Sequence, residues 1–254
     1  MVRRFAARIA GVTPSHEPAA ASRPTYQALY EDVAASTGDE GVGAGDYDAI
    51  GEIELDVLRA EGLGPTSRLL DFGCGNGRLA VHAVPYIRGG AYVGTDIAQT
   101  FLDSARQRLA PAMVGNPCDV RLIHQSDEHF DLPDHSVDIA CAFSVFTHME
   151  HEDMYRYLVQ IKRVVRPGGT MVISCLPMDL DDARQFFLRE AALDPVARWQ
   201  RVRNITTSVD LVDAIAALAD WTVVRWLPAA GGQALSAAGE MRGLGQSVVV
   251  LRPT

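Results

Sequence analysis

The chain has 254 residues, of which 48% are hydrophobic and 22% charged, and its formal net charge is −9. This length suits one large α/β domain with additions, and no apolar run approaches the roughly 20 residues that cross a bilayer. The negative charge opposes binding to nucleic acid, no apolar stretch typical of a secretory signal follows the first residues, and we therefore expect a cytoplasmic protein without membrane or nucleic-acid partners.

The first 45 residues are rich in Ala, Gly, Pro and Ser and contain one short helical pattern around Tyr26–Val33. Such composition is typical of an arm rather than of a core. A helix is expected to begin after Asp46, which stands in a capping position, and to end before Gly62. We predict that residues 1–64 form an N-terminal arm and helix that cover the functional site, and that residues 65–254 form the main domain.

Strands and helices then alternate along the chain. Short apolar runs typical of buried strands occur at 67–71, 91–95, 120–124, 137–142 and 170–175. Helical stripes of apolar residues lie between them, formed by Phe101, Leu102, Ala105 and Leu109 and by Met154, Leu158, Ile161 and Val165. This alternation predicts an α/β fold whose parallel sheet is covered on both faces.

The last part of the chain adds a helix around residues 208–219 and two strands, WTVVRWL and QSVVVLR. Only a glycine-rich loop connects these strands, which is too short for a crossover helix, so they should pair antiparallel at the sheet edge. The predicted fold is a doubly wound, seven-stranded sheet that is mostly parallel, with an antiparallel edge strand.

The first strand leads into the glycine-rich stretch LLDFGCGNGR, with Gly73, Gly75 and Gly77 in the turn where open parallel sheets bind ligands. The spacing differs from the dinucleotide pattern, because Arg78 occupies the place of its third glycine, and the lysine of a phosphate-binding loop is absent. Asp71 at the strand end would repel a phosphate and suits a cationic amino group. A tight turn without a ligand is the alternative.

Five features resemble a known family when they are taken together in order between residues 69 and 175. They are the motif LLDFGCGNGR, the acid Asp96 that ends the second strand in VGTDIA, the acidic pair in SDE, the stretch AFSVFTHM and the run RPGG. This series is similar to the class I S-adenosylmethionine-dependent methyltransferases of the small-molecule group often called type 11 or type 25. The resemblance implies a Rossmann-like fold, S-adenosylmethionine as cofactor and S-adenosylhomocysteine as product.

The resemblance also implies a set of cofactor-binding residues. They are Asp71, Gly73, Cys74, Gly75, Gly77, Asp96, Ile97, Asp127, Glu128 and Phe143. Asp96 would accept hydrogen bonds from the ribose hydroxyls, Ile97 would give the adenine an apolar face, and Asp127 would accept from the adenine amino group. Phe143 would present a backbone carbonyl near the methionine end. Caps of helices are the alternative roles of Asp96 and Asp127, and RPGG is expected to be a helix stop and turn.

The candidate catalytic residue is His148, in FTHME beyond the fourth strand. A base in this place would remove the proton of a hydroxyl or amine acceptor, and a capping or packing histidine is the alternative. His148 and His151 form HxxH without a third ligand, so no metal is expected. The acceptor pocket should come from the arm and from an insertion at about 178–207, through the aromatic residues Tyr26, Tyr30, Phe186, Phe187 and Trp199.

The sequence therefore predicts methyl transfer to an O or N atom of a small-molecule acceptor, for example a natural product or a sugar derivative. Two alternatives use the same sheet: aminopropyl transfer, and a non-catalytic module that only binds the cofactor. The expected partner is the acceptor itself, and the protein is expected to be a monomer or homodimer.

Overall fold

A computed structural model of the protein describes residues 24–37, 46–236 and 239–254. The parts of the predicted arm at residues 1–23 and 38–45 lie outside these ranges.

A seven-stranded sheet forms the centre of the fold. The strands of the protein are β1 (Arg68–Phe72), β2 (Ala91–Asp96), β3 (Asp119–His124), β4 (Val137–Ala142), β5 (Val165–Cys175), β6 (Trp221–Leu227), β7 (Ala234–Leu235), β8 (Met241–Arg242) and β9 (Ser247–Pro253). The sheet order is β3-β2-β1-β4-β5-β9-β6, and β7 and β8 form a separate small hairpin. The predicted Rossmann-like, mostly parallel sheet is confirmed. The antiparallel strand is β9, which lies between β5 and the edge strand β6 and pairs with both.

Helices cover both faces of the sheet. They are α1 (Tyr26–Thr37), α2 (Tyr47–Ala60), α3 (Ala80–Tyr86), α4 (Gln99–Met113), α5 (His151–Val164), α6 (Asp181–Ala191), α7 (Pro195–Trp199) and α8 (Val209–Leu218). The helices α2, α3 and α4 pack on one face and α5 and α8 on the other, each with its own apolar cluster. Among the described helices, none has both the length and the apolar character needed to cross a bilayer.

Local sequence signals explain several element boundaries. Asp46 caps α2, where its carboxylate accepts a hydrogen bond from the Ala49 N–H at 3.2 Å. The predicted stripe of α4 is buried throughout. Val165 was expected to end the stripe of α5, but it opens β5. The four residues 166–169 bulge out opposite Asp138 of β4, because the pairing of Val137 with Val165 shifts to Ile139 with Thr170.

Helix α1 is fastened across the carboxyl ends of the central strands. In the middle of the helix Glu31 accepts a hydrogen bond from the Gln99 N–H at 2.8 Å, at the start of α4. At the first residue of the helix the Tyr26 hydroxyl donates to Asp153 Oδ2 at 2.9 Å and accepts from the Glu150 N–H at 2.9 Å. Burial raises the pKa of Tyr26 to about 12, so the hydroxyl stays protonated. The helix therefore joins the segments that follow β2 and β4.

Candidate active site

The glycine-rich turn after β1 is tied to the end of β2. Gly73 has φ 74°, and a Cβ there would lie 2.4 Å from Cγ2 of Val145. Gly75 has φ 55°, and its N–H donates to Oδ2 of Asp96 at 2.8 Å. Larger residues would disturb both the backbone conformation and the neighbouring loop after β4. The sequence therefore places glycine where the chain turns most tightly against its neighbours.

Asp96 is buried at the end of β2 and accepts two backbone hydrogen bonds, from Gly75 and, at 2.9 Å on Oδ1, from Ala98. Burial raises the pKa of this carboxyl, and the two backbone bonds act in the opposite direction. Asp96 stands before the capping position of α4, which is Ala98. Each carboxylate oxygen can accept a further hydrogen bond, so Asp96 could also hold ribose hydroxyls, and that role stays a prediction.

The charges around the turn suit a nucleoside with a cationic tail better than a phosphate. Arg78 is paired with Glu54, with Nη2 2.5 Å from Oε1, and both side chains are buried. The turn itself, residues 73–78, therefore presents no free cation to a phosphate group. Asp96 carries acceptor atoms that hydroxyl groups could use. S-adenosylmethionine, which carries a ribose and no phosphate, fits this set of residues.

Asp71 lies at the end of β1 with its side chain buried between the sheet and the helices. Its Oδ2 accepts a hydrogen bond from the Tyr92 hydroxyl at 2.5 Å, and its Oδ1 contacts the Cys141 Sγ at 3.5 Å. Burial raises the pKa of Asp71 to about 7, while the bonds from Tyr92 and Cys141 lower it. Both oxygens are thus engaged by neighbouring strands. A contact of Asp71 with the cationic amino group of the cofactor stays a prediction.

We expect Asp71→Ala to lower the free energy of unfolding by about 1–3 kcal/mol, because the buried Tyr92 hydroxyl would lose its acceptor. Urea denaturation measures this change. Asp119→Ala, on the exposed start of β3, is the control and should have little effect. The double variant Asp71→Ala/Tyr92→Phe should lose less than the sum of the single variants. Unchanged stability of Asp71→Ala would contradict the structural role.

The other predicted cofactor residues near the turn serve packing in the structure. The Cys74 N–H donates to the Thr95 carbonyl at 2.9 Å, and its side chain is buried. A Cβ at Gly77, where φ is 89°, would lie 3.3 Å from Cβ of Ala105, so this glycine lets α4 approach. Phe143 is buried on the face that α2 and α3 cover. Because these residues serve packing, the backbone atoms of the turn are the groups that we expect to contact a cofactor.

The two acidic residues after β3, Asp127 and Glu128, have different surroundings. Asp127 is exposed and its Oδ1 accepts a hydrogen bond from the His129 N–H at 2.9 Å, which closes a turn rather than capping a helix. It lines a cavity of about 150 Å³ under the loop after β3. Glu128 is paired with Arg156 of α5. Asp127 thus keeps an oxygen for a ligand, whereas Glu128 points to the neighbouring helix.

A larger cavity of about 390 Å³ lies between α1, the loop after β4 and the segment 198–203. Its lining includes His148 and Ile97 together with Tyr26, Tyr30 and Trp199. Ser126 lines both this cavity and the smaller one, so the two are neighbours. Phe186 and Phe187 of α6 are not part of its lining. Of the five aromatic residues that the sequence suggested for an acceptor pocket, three therefore line it.

The backbone selects one tautomer of the neutral His148 ring. Its Nδ1 lies 2.9 Å from the carbonyl oxygen of Arg203. Because a carbonyl only accepts, Nδ1 carries the hydrogen and Nε2 is the basic nitrogen. Burial lowers the pKa of His148 below its ordinary value of 6.5, and the bond to the carbonyl raises it by less. His148 is not a helix cap, since α5 begins after Glu150.

Three arginines that the sequence analysis did not single out also line the larger cavity: Arg198, Arg201 and Arg203. They follow one another within RWQRVR, and this local density of arginine was the available signal. Arg203 is paired with Glu150, and Arg201 Nη1 lies 3.2 Å from Glu190 Oε1. The predicted insertion therefore contributes three arginines to the cavity wall, two of which are in ion pairs.

Known proteins resemble the central part of the chain. Residues 70–173 match the family described as "Methyltransferase domain". An uncharacterized methyltransferase of Schizosaccharomyces pombe is 33% identical over 120 residues, which are 45% of this chain and 41% of that protein. The 27-O-demethylrifamycin SV methyltransferase of Amycolatopsis mediterranei is 32% identical over 108 residues, 42% of this chain and 37% of that protein. The chain thus matches less than half the length of these relatives.

Solved structures share the fold at lower identity. The magnesium protoporphyrin IX methyltransferase of Synechocystis, crystallised with bound S-adenosylhomocysteine, is 15% identical with a TM-score of 0.64. The match covers 90% of this chain and 99% of that chain. The family match covers the strands β1 to β5 that carry the glycine-rich turn, Asp96 and Asp127. Residues 70–173 therefore match the methyltransferase domain family, and the fold is the one seen in S-adenosylmethionine-dependent methyltransferases.

Proposed function

We propose that the protein transfers a methyl group from S-adenosylmethionine to an oxygen or nitrogen atom of a small-molecule acceptor, such as a natural product or a sugar derivative. The observation that carries the proposal is that His148, whose basic nitrogen is Nε2, lines a cavity of about 390 Å³ together with Ile97, which follows β2. A neutral imidazole in such a cavity can accept the proton of the acceptor group.

Different residues of the chain would bind the cofactor, remove the proton and exclude water. When it is bound, the cofactor supplies an electrophilic methyl carbon on a sulfonium. Asp96 holds hydroxyl groups at the end of β2, and His148 removes the proton from the attacking O–H or N–H group. The Arg203 carbonyl, which accepts from Nδ1, orients the ring and stabilises the imidazolium that forms. Helix α1 lies over the cavity and limits the entry of water.

The size and walls of the cavity favour a small acceptor. A volume of about 390 Å³ falls in the range of small-molecule sites. Aromatic rings of Tyr30 and Trp199 line it, and these suit a ring-containing compound. The similarity to an enzyme named for 27-O-demethylrifamycin SV supports a natural product as the acceptor. The cytoplasmic location, the monomeric or dimeric state, the covering role of residues 1–64 and the insertion at 178–207 stay predictions.

The test is formation of S-adenosylhomocysteine by the purified protein with a panel of phenols, alcohols, amines and hydroxylated sugars. We expect formation that depends on an acceptor, and the methylated product identified by mass spectrometry. Cofactor binding without transfer to any acceptor would indicate a binding module instead. Transfer of the aminopropyl group from decarboxylated S-adenosylmethionine would indicate an aminopropyltransferase.

A further inference from the structure

Arg198 is a charged side chain of the larger cavity that the proposed reaction does not use. It lies in α7, a short helix that Asp194 caps by accepting from the Val196 N–H at 2.8 Å. Its Nε is shielded from solvent and has no hydrogen-bond partner. Among the residues that the structure describes, no carboxylate lies within ion-pair distance of the Arg198 guanidinium. A half-buried cation is thus left without a counter-ion.

The other charged groups of the cavity wall have partners. Arg203 is paired with Glu150, and Arg201 with Glu190. Asp153 accepts a hydrogen bond from the Tyr26 hydroxyl. Within the described part of the chain, the positive charge of Arg198 is therefore the one in this wall that the protein does not balance.

The Arg198 guanidinium has a shielded Nε, no carboxylate partner and Nη atoms that stay accessible in the cavity. A carboxylate matches the planar donors of a guanidinium with two parallel hydrogen bonds. We propose that the acceptor carries a carboxylate, which binds Arg198, so that the cavity takes a hydroxy- or amino-substituted carboxylic acid. This inference rests on the proposed function of the same cavity, and it adds the chemical class of the substrate.

The surroundings favour a singly charged acid over a phosphate ester. Glu150 and Asp153 line the same cavity as Arg198, and a second negative charge on the ligand would be repelled by them. The rings of Tyr30, Tyr157 and Trp199 also line it, and they suit a planar or aromatic skeleton. His148 would then face the hydroxyl or amino group that becomes methylated.

The test compares acids with their uncharged amides. The purified full-length protein is titrated calorimetrically with 4-hydroxybenzoate, 4-hydroxycinnamate and 4-hydroxyphenylacetate and with the primary amide of each, both without cofactor and after saturation with S-adenosylhomocysteine. The variants are Arg198→Gln and, as a matched control, Arg121→Gln, which removes an exposed arginine of β3. Melting temperatures and affinity for S-adenosylhomocysteine are measured for each variant, so that a fold defect is recognised.

We expect at least one acid to bind about tenfold to a hundredfold more tightly than its amide in the wild type and in Arg121→Gln. This preference should disappear in Arg198→Gln, while the affinity for S-adenosylhomocysteine is retained. The inference is overturned if no acid binds better than its amide, or if the preference survives in Arg198→Gln. Absence of S-adenosylhomocysteine binding in the wild type would instead refute the proposed function, and the titrations without cofactor would still report on Arg198.

Discussion

His148→Ala is expected to lower the rate at saturating acceptor and cofactor by about 10²–10⁴-fold, because the variant lacks the proposed base for the acceptor proton. The affinity for S-adenosylhomocysteine should stay nearly unchanged. The wild-type rate should fall as the pH decreases through the lowered pKa of His148, below 6.5, since protonation of Nε2 removes the base. Steady-state rates between pH 5 and pH 8, a range about the pKa of histidine, measure this fall of the rate, the acid limb of the pH profile.

His151→Ala is the matched control for this prediction, because His151 is the first residue of α5 and does not line the cavity. It should keep the wild-type rate and the acid limb. If the acid limb persists in His148→Ala, the titrating group is another residue, and Glu150 or Tyr26 would be tested next. A rise of the Michaelis constant for the acceptor with an unchanged maximal rate would show that His148 orients the acceptor and is not the base.

Asp96→Ala is expected to weaken binding of S-adenosylhomocysteine by about tenfold to a hundredfold. Hydrogen bonds to a charged group contribute about 1.5–3 kcal/mol, and the substitution removes those to the ribose hydroxyls. The structure adds a second cause: the N–H of Gly75 loses its acceptor, which releases the glycine-rich turn from β2. Calorimetric titration of the folded variant measures the affinity.

Asp103→Ala separates these effects from a general loss of charge, since Asp103 is an exposed acid of α4 and should leave the affinity unchanged. The melting temperature of Asp96→Ala then tells the two causes apart. A fall in affinity with a wild-type melting temperature indicates lost contacts to the ligand, and a parallel fall of both indicates the loosened turn. An unchanged affinity in a folded protein would remove Asp96 from the cofactor site.

The sequence was a good guide to the sheet because the signals for its strands are local. A buried parallel strand is a continuous apolar run, and the run at 137–142 coincides with β4. The buried stripe of α4 was likewise evident from helical spacing. Val165 was misassigned because apolar periodicity alone does not distinguish the last turn of a helix from the first residue of a buried strand.

The direction of side chains at the strand ends was not evident from the sequence. The contact of Asp71 with the cofactor stays a prediction, and the sequence did not indicate that Tyr92 and Cys141 contact its two oxygens. Which neighbour a strand residue meets depends on the register between strands, which becomes visible only when β1, β2 and β4 are aligned. The tie between Gly75 and Asp96, 21 residues apart, depends on the same alignment.

The acceptor cavity was the part least accessible from the sequence. Its walls come from three distant segments, and the hydrogen bond from Tyr26 to Asp153 joins residues 127 positions apart. The sequence placed Tyr26, Tyr30 and Trp199 in two of these three segments, yet it did not indicate that Arg198, Arg201 and Arg203 line the cavity together. Contacts of this range have no periodic signature.

The position of β9 has a consequence for synthesis of the protein. Residues 247–253 lie between β5 and β6, so β9 separates two strands that are made before it. Until β9 has been made and has left the ribosome, the edge of β5 and the strand β6 lack their native partner. During that interval both are open to pairing with other chains.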